Sequence, residues 1–469
     1  MYYDKDQVKD LHIAYIGGGS RGWAWGFMKD LALDGQMEGD VRLYDIDRQA
    51  ANNNETIGKR ISDAPGAVSK WQYKSVASLR EALTDADFVV ISILPGTFKE
   101  MKSDVHAPEK YGIYQSVGDS IGPGGFMRAL RTIPMYVEFA KAIRDYCPGA
   151  WVMNYTNPMS LCVRTLYEIF PTVKAFGCCH EVFGTQQLLS AVIREELGIP
   201  DVPRQKIKTN VLGINHFTWF SSASYRGMDL FPLYRKFVGK YYETGYEDVS
   251  GHNWMNDSFA CAHRVKFDLF RNYGLIAAAG DRHLAEFTPQ WYLRDPETVH
   301  RWKFALTSVD WRIQDLGKRL QKSRRLVSGE EPVNLKPSGE EGHLLIKALL
   351  GLGDMVSNVN IPNRGQIPNL PSGSVVETNA LFRRDNISPV YAGPLPGNIS
   401  ALVDLHIHNQ ENTLKAALTC DRSLAFTTFM NDPQVTLSPS DGRKLFNAML
   451  QNTAKYLPEK WFQRPGQST

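Results

Sequence analysis

"LHIAYIGGGSRGW", residues 11–23, carries the clearest fold signal in the first half of the chain. It opens as a short apolar run with β-branched members, which predicts a buried strand. The glycines that follow have the spacing Gly17-x-Gly19-x-x-Gly22, and a helix-like segment continues to Leu33. Glycines so placed permit a tight turn and let the backbone approach a pyrophosphate at a helix start. The alternative is a tight strand-to-helix turn that holds no ligand.

An acidic residue stands where a dinucleotide-binding fold needs one. VRLYDID, residues 41–47, predicts a second strand that ends near Asp45. This carboxylate follows the last glycine by about 20 residues, the separation at which an acid accepts from the ribose hydroxyls of NAD. We therefore predict NAD, rather than NADP, as the bound dinucleotide.

Three more apolar runs predict strands, and helix-like lengths separate them. The runs are DFVVISI at 87–93, WVMNYTN at 151–157 and VKAFGCC at 173–179. Alternating strands and helices are typical of βαβ units and a parallel sheet. The predicted fold class is α/β, with an N-terminal Rossmann-like, doubly wound parallel sheet that forms an NAD-binding domain over residues 1–200.

The sequence pattern changes beyond that point. KIKTNVLGINHFTWFSSASYRG, residues 206–227, predicts antiparallel strands, and long helical stretches follow. Loops rich in Pro, Asn and Gly are predicted around 358–373 and 393–397. We predict that residues 201–469 form a C-terminal α+β domain for substrate, metal and subunit contacts.

Bulk properties narrow the class of protein. Hydrophobic residues make up 43% and charged residues 22% of the 469 residues, which is typical of a globular chain of two domains. The net charge of +3 gives no reason to expect a nucleic acid or an anionic membrane as partner. Six irregularly spaced cysteines favour a reducing compartment over a disulfide scaffold. No signal-peptide pattern begins the chain, and no apolar run approaches the ~18 residues of a spanning helix, so we expect a cytoplasmic protein.

Two motifs offer polar groups to a crevice at the edge of the predicted sheet. SVGDSIGPGGFMRALRTIP, residues 116–134, predicts a glycine-rich loop whose Asp119, backbone amides and Arg128 contact substrate. VMNYTNPMS places Asn154 and Asn157 at a strand end, where an asparagine can fix a substrate hydroxyl beside the nicotinamide. The alternatives are a flexible connector before a helix for the first motif and Asx-turn chemistry for the second.

A third motif suggests a metal. GCCHEVFG, residues 177–184, ends another strand of the same sheet, so Cys179 and His180 face the same crevice. GINHFTW, residues 213–219, offers His216 in a segment that we expect to cross it. A thiolate and an imidazole supply two ligands of a divalent metal, and substrate oxygens and water can complete the shell. A nucleophile, a redox pair and a packed strand end are the alternatives for the two cysteines.

A fourth motif concentrates titratable groups. AAAGDRHLAEF, residues 277–287, places Asp281, Arg282 and His283 after an apolar run. An aspartate between small residues and beside an arginine is a candidate base, and the arginine can clamp an anionic substrate. The alternative is a solvated loop at the start of a helix.

Together these motifs resemble glycoside hydrolase family 4. The resemblance is carried, in order, by GGGS, DID, GPGGFMRALRTIP, NYTNPM, GCCHEVFG, GINHF and VVETNALFRRDNISPVYAGPLP, and it runs from about residue 11 to about residue 435. The residues CHEVFG look like the α-galacturonidase branch of the family. The resemblance therefore covers most of the chain.

The resemblance implies a mechanism other than hydrolysis by two carboxylates. Bound NAD⁺ takes hydride from C3 of the sugar, and the 3-keto group acidifies the C2 proton. A base removes that proton, and a divalent metal, usually Mn²⁺, stabilises the enediolate. The aglycone leaves by elimination, water adds, and NADH returns the hydride. The implied function is hydrolysis of α-galacturonides, such as pectic oligomers, by a homodimer or homotetramer.

Site residues carry over from the family motif by motif. Cys179 and His216 are the implied metal ligands, and His180 stands where relatives carry an aspartate that assists departure of the aglycone. The implied NAD contacts are Gly17, Gly18, Gly19, Ser20, Arg21, Asp45, Pro95 and Asn157. The implied substrate contacts are Asn154, Asp119, Arg128, Arg282 and His283. Either Arg282 or His283 is expected to bind the uronate carboxylate.

The base that removes the C2 proton is the point at which this chain departs from the family. Many members use a tyrosine after the metal histidine, and Phe267 stands near that position here. Some α-acting members use an aspartate further on. Asp281 is therefore the first candidate for the base, and Tyr273 is the second.

Three other functions stay open. A family 4 α-galactosidase or α-glucosidase would differ in the CHEVFG loop and in the arginine. A net NAD-dependent 2-hydroxy acid dehydrogenase would not need Cys179, so sensitivity to chelators separates it. A non-enzymatic NAD sensor would bind NAD but would turn over no glycoside.

Overall fold

A computed structural model describes residues 1–247, 255 and 259–463 of the chain. Its strands are β1 (Tyr2–Asp4), β2 (Gln7–Ile16), β3 (Met37–Tyr44), β4 (Trp71–Val76), β5 (Phe88–Ile91), β6 (Trp151–Asn154), β7 (Lys174–Gly177), β8 (Ile207–Ile214), β9 (Phe217–Tyr225), β10 (Met228–Asp229), β11 (Ile276–Ala277), β12 (Met355–Pro362), β13 (Val375–Arg383) and β14 (Asn386–Pro389).

The helices alternate with strands in the first half and dominate the second. They are α1 (Trp23–Ala32), α2 (Arg48–Ser62), α3 (Leu79–Leu83), α4 (Phe98–His106), α5 (Gly122–Tyr146), α6 (Met159–Ile169), α7 (Glu181–Leu197), α8 (Phe231–Tyr241), α9 (Arg264–Tyr273), α10 (Asp281–Glu286), α11 (Pro296–Arg301), α12 (Val309–Ser328), α13 (Gly342–Leu349), α14 (Gly397–Thr419), α15 (Arg422–Met430) and α16 (Pro439–Asn452).

The main sheet has the strand order of a Rossmann fold at its centre. Strands β4, β3, β2, β5, β6 and β7 lie side by side and are parallel. The order reverses between β2 and β5, which is where such sheets open a crevice at the carboxyl ends of their strands. The predicted α/β class and the Rossmann-like first half are confirmed.

Both faces of this sheet are covered, which explains the continuous apolar runs of its strands. Ile13 and Tyr15 of β2 pack in one buried cluster with side chains of α1, α2 and α13. Ala14 and Ile16 point the other way and pack in a second cluster with side chains of α3, α5 and α6. The strand ends are thereby held rigidly on both sides.

The C-terminal half contributes strands to the same sheet. β12 pairs antiparallel with β7 and with β13, and β14 completes that edge. β12 (Met355–Pro362) ends inside the stretch 358–373 that composition predicted as a loop, because its Asn and Pro content is typical of turns. In the structure Asn358 and Asn360 lie in the strand with their side chains buried. The boundary near residue 200 stays a prediction, and residues 464–469 of the predicted C-terminal domain lie outside the described residues.

A smaller antiparallel sheet, formed by β8, β9, β10 and β11, belongs to the second half of the chain. β8 and β9 form a hairpin whose turn is Asn215-His216, as the register of Ile214 with Phe217 requires. β10 and β11 also pair with β9. Among the described residues, no helix combines the length and the apolarity that a bilayer crossing requires.

Candidate active site

The glycine turn after β2 lies against the neighbouring strands at close range. A Cβ on Gly18 would lie 2.7 Å from Cα of Leu43, and Gly17 has a φ of +91°. The N–H of Gly19 donates to the Asp45 carboxylate at 2.9 Å, and Asp47 donates its N–H to the same group at 2.8 Å. Burial raises the pKa of Asp45, and these two N–H groups oppose that shift. The turn and the predicted ribose acid therefore form one unit.

The other predicted NAD contacts surround this turn. Ser20 donates its N–H to the carbonyl of Gly17 at 3.0 Å. Arg21 pairs with Asp47 at 3.2 Å, while its buried Nε has no hydrogen-bond partner among the described residues. Pro95 is buried beyond the end of β5, where its carbonyl accepts from Arg131 at 2.9 Å. These residues lie along one edge of the sheet.

Asn157 connects this edge to the loop before α5. Its Nδ2 donates to Asp119 at 3.2 Å, and its carbonyl accepts from Nε of Arg128 at 3.0 Å. The Oδ1 atom of Asn157 is buried and has no hydrogen-bond partner among the described residues. Burial raises the pKa of Asp119, but the charge of Arg128, together with His216 and His283 when acid protonates them, outweighs burial and holds the pKa well below its usual range. Asp119 is therefore an ionised carboxylate inside the crevice.

The turn between β8 and β9 positions His216 close to Asp119. His216 has a φ of +66°, a left-handed conformation that places its ring at the tip of the turn. The Ser120 hydroxyl lies 2.9 Å from Nδ1 of His216 and donates to Asp119 at 2.9 Å. Because that hydroxyl proton points to Asp119, Nδ1 is the donor and Nε2 keeps a free lone pair. Burial lowers the pKa of His216 to about 3, so the imidazole is neutral at physiological pH.

His283 completes the group. Its ring centroid lies 3.7 Å from that of His216. Nε2 is 3.6 Å from Oε1 of Glu181, whose other oxygen accepts the Gly280 N–H at 2.7 Å. Nδ1 of His283 is buried without a hydrogen-bond partner among the described residues. Ligand atoms of Asp119, His216 and His283, here called the crevice triad, all lie within 4.8 Å of one another.

Cys179 lies beside this triad, next to the hairpin turn. The amide of Asn215 and the backbone N–H of Glu181 contact its thiol. Burial raises the pKa of Cys179 well above its usual value, and the nearby carboxylates of Glu377 and Glu181 raise it further. The thiol is therefore protonated unless a metal displaces the proton.

Matches to family models extend across both halves of the chain. Residues 12–195 match the model described as family 4 glycosyl hydrolase, and residues 211–435 match the C-terminal domain of that family. The chain belongs to glycosyl hydrolase family 4. The resemblance of its motifs is thereby confirmed.

Individual relatives of this family 4 chain span its full length. An α-galacturonidase from Thermoanaerobacterium saccharolyticum is 62% identical over 458 residues, which cover 97% of this chain and 98% of the relative. A crystal structure of a Bacillus subtilis protein is 52% identical, with a TM-score of 0.91, and the match covers 94% of this chain and 100% of that one. A 6-phospho-α-glucosidase from gut microorganisms, solved with NAD and Mn²⁺, is 18% identical, with a TM-score of 0.79 and coverage of 96% and 99%. The last likeness shows the fold alone.

The family 4 fold turns Asp281 away from the crevice triad. Asp281 and His283 are two residues apart on the helix α10, so their side chains leave on opposite sides. Asp281 accepts the N–H groups of Val265 and Lys266 at 3.1 and 3.2 Å and lies with Cys261 and His263. Burial raises the pKa of Asp281 to about 6. The role of proton acceptor stays a prediction that this placement does not support.

The second candidate base lies elsewhere again. Tyr273 ends α9 with its ring 5.8 Å from that of Trp219. It lines a cleft of about 300 Å³. The other lining residues are Asp268, Asn272, Trp291, Tyr292 and Trp302. Its role also stays a prediction.

Two predicted substrate contacts have their polar atoms engaged within the protein. Asn154 is fully buried, and its amide donates to the carbonyl of Thr156 and to Sδ of Met159, both at 3.0 Å. Its Oδ1 accepts from Tyr136 and from the N–H of Thr156, which is the Asx-turn alternative. Arg282 is similarly engaged: Nε donates to Ala305 at 3.2 Å, and Nη2 donates to the carbonyl of Ser116 at 2.7 Å.

His180 lies at the mouth of the crevice. Its side chain is half exposed, 3.4 Å from Glu340. Its ring lies 5.8 Å from that of Trp23, which begins the helix after the glycine turn. The GCCHEVFG motif and the glycine turn therefore meet.

Sequence reasoning missed Glu181 and Glu377. Burial alone would raise the pKa of Glu181, but the nearby histidines lower it to about 2. Glu377 of β13 accepts from Asn215 at 3.2 Å and from Asn358 at 2.7 Å, and burial raises its pKa to about 7. Both acids stand in motifs that carried the family resemblance, and their acidity was the only signal available.

Proposed function

We propose that this chain is an α-galacturonidase that uses NAD and a divalent metal. The carrying observation is that the crevice triad lies at the same sheet edge as the glycine turn and Asp45. The named relative at 62% identity supports the substrate class. Assembly into dimers or tetramers and the cytoplasmic location stay predictions.

The crevice triad fits a divalent metal. Three ligands are available: the ionised Asp119 carboxylate, the free Nε2 of His216 and the unpartnered Nδ1 of His283. Glu181 behind His283 and Ser120 behind His216 orient the two rings, as carboxylates and hydroxyls do around bound metals. One carboxylate and two imidazoles leave positions open for substrate oxygens and suit Mn²⁺ or a similar ion. The implied ligand Cys179 lies beside His216 and stays a candidate for a further ligand.

The turn after β2 fits NAD. Its backbone approaches β3 and β5 so closely that a Cβ on Gly17 would lie 2.0 Å from the carbonyl oxygen of Ser92. Asp45 offers a carboxylate to ribose hydroxyls. The next residue, Ile46, is 92% exposed and offers an apolar surface to an aromatic base. Arg21 has a buried Nε to donate.

The residues of the crevice hold a sugar between these two groups. When bound, NAD supplies a reversible hydride acceptor and the metal supplies a Lewis acid for adjacent sugar oxygens. Arg128 fixes the loop of Asn157 and keeps Asp119 ionised. His180, at the mouth of the crevice, exchanges a proton with the departing aglycone oxygen in this proposal. Its ring lies 5.8 Å from that of Trp23, and its Nδ1 lies 3.4 Å from Glu340.

The experiment is hydrolysis of p-nitrophenyl α-galacturonide and of digalacturonate in the presence of reductant. Four mixtures are compared: complete, without NAD⁺, without Mn²⁺, and with EDTA. We expect release only in the complete mixture, and restoration after EDTA when Mn²⁺ is returned in excess. Metal analysis of the protein and absorbance of the denatured supernatant control for cofactors that co-purify.

The other outcomes separate the alternatives. Hydrolysis of a neutral α-galactoside or α-glucoside with the same requirements would keep the cofactors and discard the substrate. Hydrolysis that ignores both NAD⁺ and EDTA in cofactor-free protein would discard the proposal. Net accumulation of NADH would indicate a dehydrogenase.

A further inference from the structure

Arg312 is a cation in the crevice that neither the motifs nor the family resemblance drew attention to. It lies in the first turn of α12, which Ser308 caps by accepting the N–H of Trp311 at 3.3 Å. Its Nε is buried and has no hydrogen-bond partner among the described residues. A buried guanidinium nitrogen without an acceptor is costly unless a ligand supplies one.

The surroundings of Arg312 point toward the substrate. The charges of Asp119 of the crevice triad and of Arg282 act on it from other elements, while Arg319 and Asp315 act from its own helix. The guanidinium groups of Arg312 and Arg282 lie 5.7 and 5.2 Å from the ring centroid of Phe259. Both cations therefore lie near the same ring, and both interact electrostatically with Asp119.

The surroundings of Asp119 contain three arginines and two ionised carboxylates, those of Asp119 and Glu181. Arg128, Arg282 and Arg312 all interact electrostatically with Asp119, which also neighbours two histidines. Burial raises the pKa of Glu286 to about 8, so this acid does not balance the cations at neutral pH. An anionic group on the substrate would restore the balance.

Arg282 cannot present its bidentate edge to such an anion. Its Nε and Nη2 are held by Ala305, Ser116 and the hydroxyl of Thr307. The Nε of Arg312 has no hydrogen-bond partner within the described part of the chain, and its fork matches the geometry of a carboxylate.

Contacts with two other segments fix the position of helix α12, which carries Arg312. Asp310 pairs with Lys102 of α4 at 2.8 Å, and the N–H of Val309 donates to His106 at 3.4 Å. About two turns beyond Arg312, Arg319 donates to the carbonyl of Arg21 in the glycine turn at 3.0 Å. The helix therefore extends from α4 to the predicted NAD site.

We infer that Arg312 binds the C6 carboxylate of the substrate and sets the preference for uronides over neutral sugars. This inference deepens the proposed function and rests on it. It replaces Arg282 and His283 as the expected carboxylate ligand, because Arg282 is engaged with backbone and His283 belongs to the crevice triad.

The test compares Arg312→Gln and Arg312→Lys with Arg324→Gln, an exposed arginine on the same helix. Each is assayed with NAD⁺ and Mn²⁺ on p-nitrophenyl α-galacturonide and p-nitrophenyl α-galactoside, which differ at C6. Calorimetry then measures binding of galacturonate and of galactose. For Arg312→Gln we expect KM for the galacturonide and Kd for galacturonate to rise about 10- to 100-fold, the effect of losing one hydrogen bond to a charged group. Binding of galactose and kcat should change little.

The remaining results decide between the inference and the proposed function. Arg312→Lys keeps the charge without the fork and should fall between wild type and Arg312→Gln. Unchanged galacturonate binding in a folded Arg312→Gln, or an equal loss in Arg324→Gln, would overturn the inference alone. A wild-type enzyme that hydrolyses only the neutral glycoside would overturn the proposed function, and the inference with it.

Discussion

Two clusters of residue types that bind metals lie on either side of helix α10. They differ in whether their lone pairs are available to a ligand or already engaged within the protein. One is the crevice triad. The other, here called the helix triad, consists of Cys261, His263 and Asp281. In both, a histidine has left-handed backbone, with φ of +66° at His216 and +59° at His263. In both, the three ligand atoms lie within 4.8 Å of one another.

In the helix triad, a lysine lies beside the histidine, and the oxygens of the aspartate already accept hydrogen bonds. Lys266 brings its Nζ to 3.4 Å from Nδ1 of His263 and donates to Thr185 at 3.1 Å. Both oxygens of Asp281 accept N–H groups from the start of α9. In the crevice triad, by contrast, Nδ1 of His283 has no protein partner among the described residues. Ligand-type residues in one place indicate a site only where lone pairs remain.

The largest effect is expected from His216→Asn, with His263→Asn as its matched control. Asparagine is chosen because it tolerates the left-handed backbone of both positions. His216→Asn removes a metal ligand, so kcat/KM should fall by at least about 100-fold, beyond the 10- to 100-fold typical of groups behind the ligands. His263→Asn should keep activity within about tenfold. Metal analysis of both proteins after dialysis against Mn²⁺ provides the second readout. Full metal content in His216→Asn, or its loss in His263→Asn, would reverse the comparison.

A smaller effect is expected for Asp281→Asn. One of the two N–H groups at the start of α9 loses its acceptor, which should lower the free energy of unfolding by about 1–3 kcal/mol. Hydrolysis should stay within about tenfold of wild type. Exchange of the C2 proton with deuterated solvent, followed by NMR, should also persist. Loss of exchange with intact NAD binding would instead make Asp281 the base.

The last effect concerns the acid that ends α10 and the dependence of stability on pH. Glu286 accepts the N–H groups of Val117 and Gly118 at 2.7 and 2.8 Å, and burial raises its pKa from 4.5 to about 8. Between these pH values the folded state holds a proton that the unfolded state releases, so stability falls as pH rises.

Glu286→Gln keeps an oxygen acceptor and has no proton to lose. Its free energy of unfolding should therefore depend less on pH across that window, by at most about 1.4 kcal/mol per pH unit. Urea titrations at several pH values measure the slope. Identical slopes in wild type and variant would show that Glu286 is ionised when folded.

The sequence predicted the parts that are local. The glycine turn and the strand ends follow from short motifs whose geometry is fixed within a few residues, and His216, a predicted metal ligand, stands in such a motif. The crevice triad does not, because Asp119, His216 and His283 come from three distant segments and spacing carries no information on their meeting. Asp119 and His283 were predicted as substrate contacts, and the structure places them with the predicted metal ligand.

Other placements could not be predicted from the sequence, for physical reasons of their own. Asp281 and His283 are neighbours in sequence, but the rotation of a helix points them apart. Glu377 is buried by strand β13, which joins the sheet from the far end of the chain. Arg312 stands on a helix rich in charged residues, where a single guanidinium facing inward resembles its exposed neighbours.

β12 pairs with β7 but is synthesised much later, which has a consequence for folding during translation. β7 ends at Gly177, and its partner strand begins at Met355. At about 5–20 residues per second, synthesis leaves about 10–40 s during which β7 is an open edge on the ribosome. Open strand edges recruit other chains, so a nascent or truncated first half should depend on chaperones. Fragments that end near residue 200 are expected to aggregate, even though they contain every residue of the glycine turn.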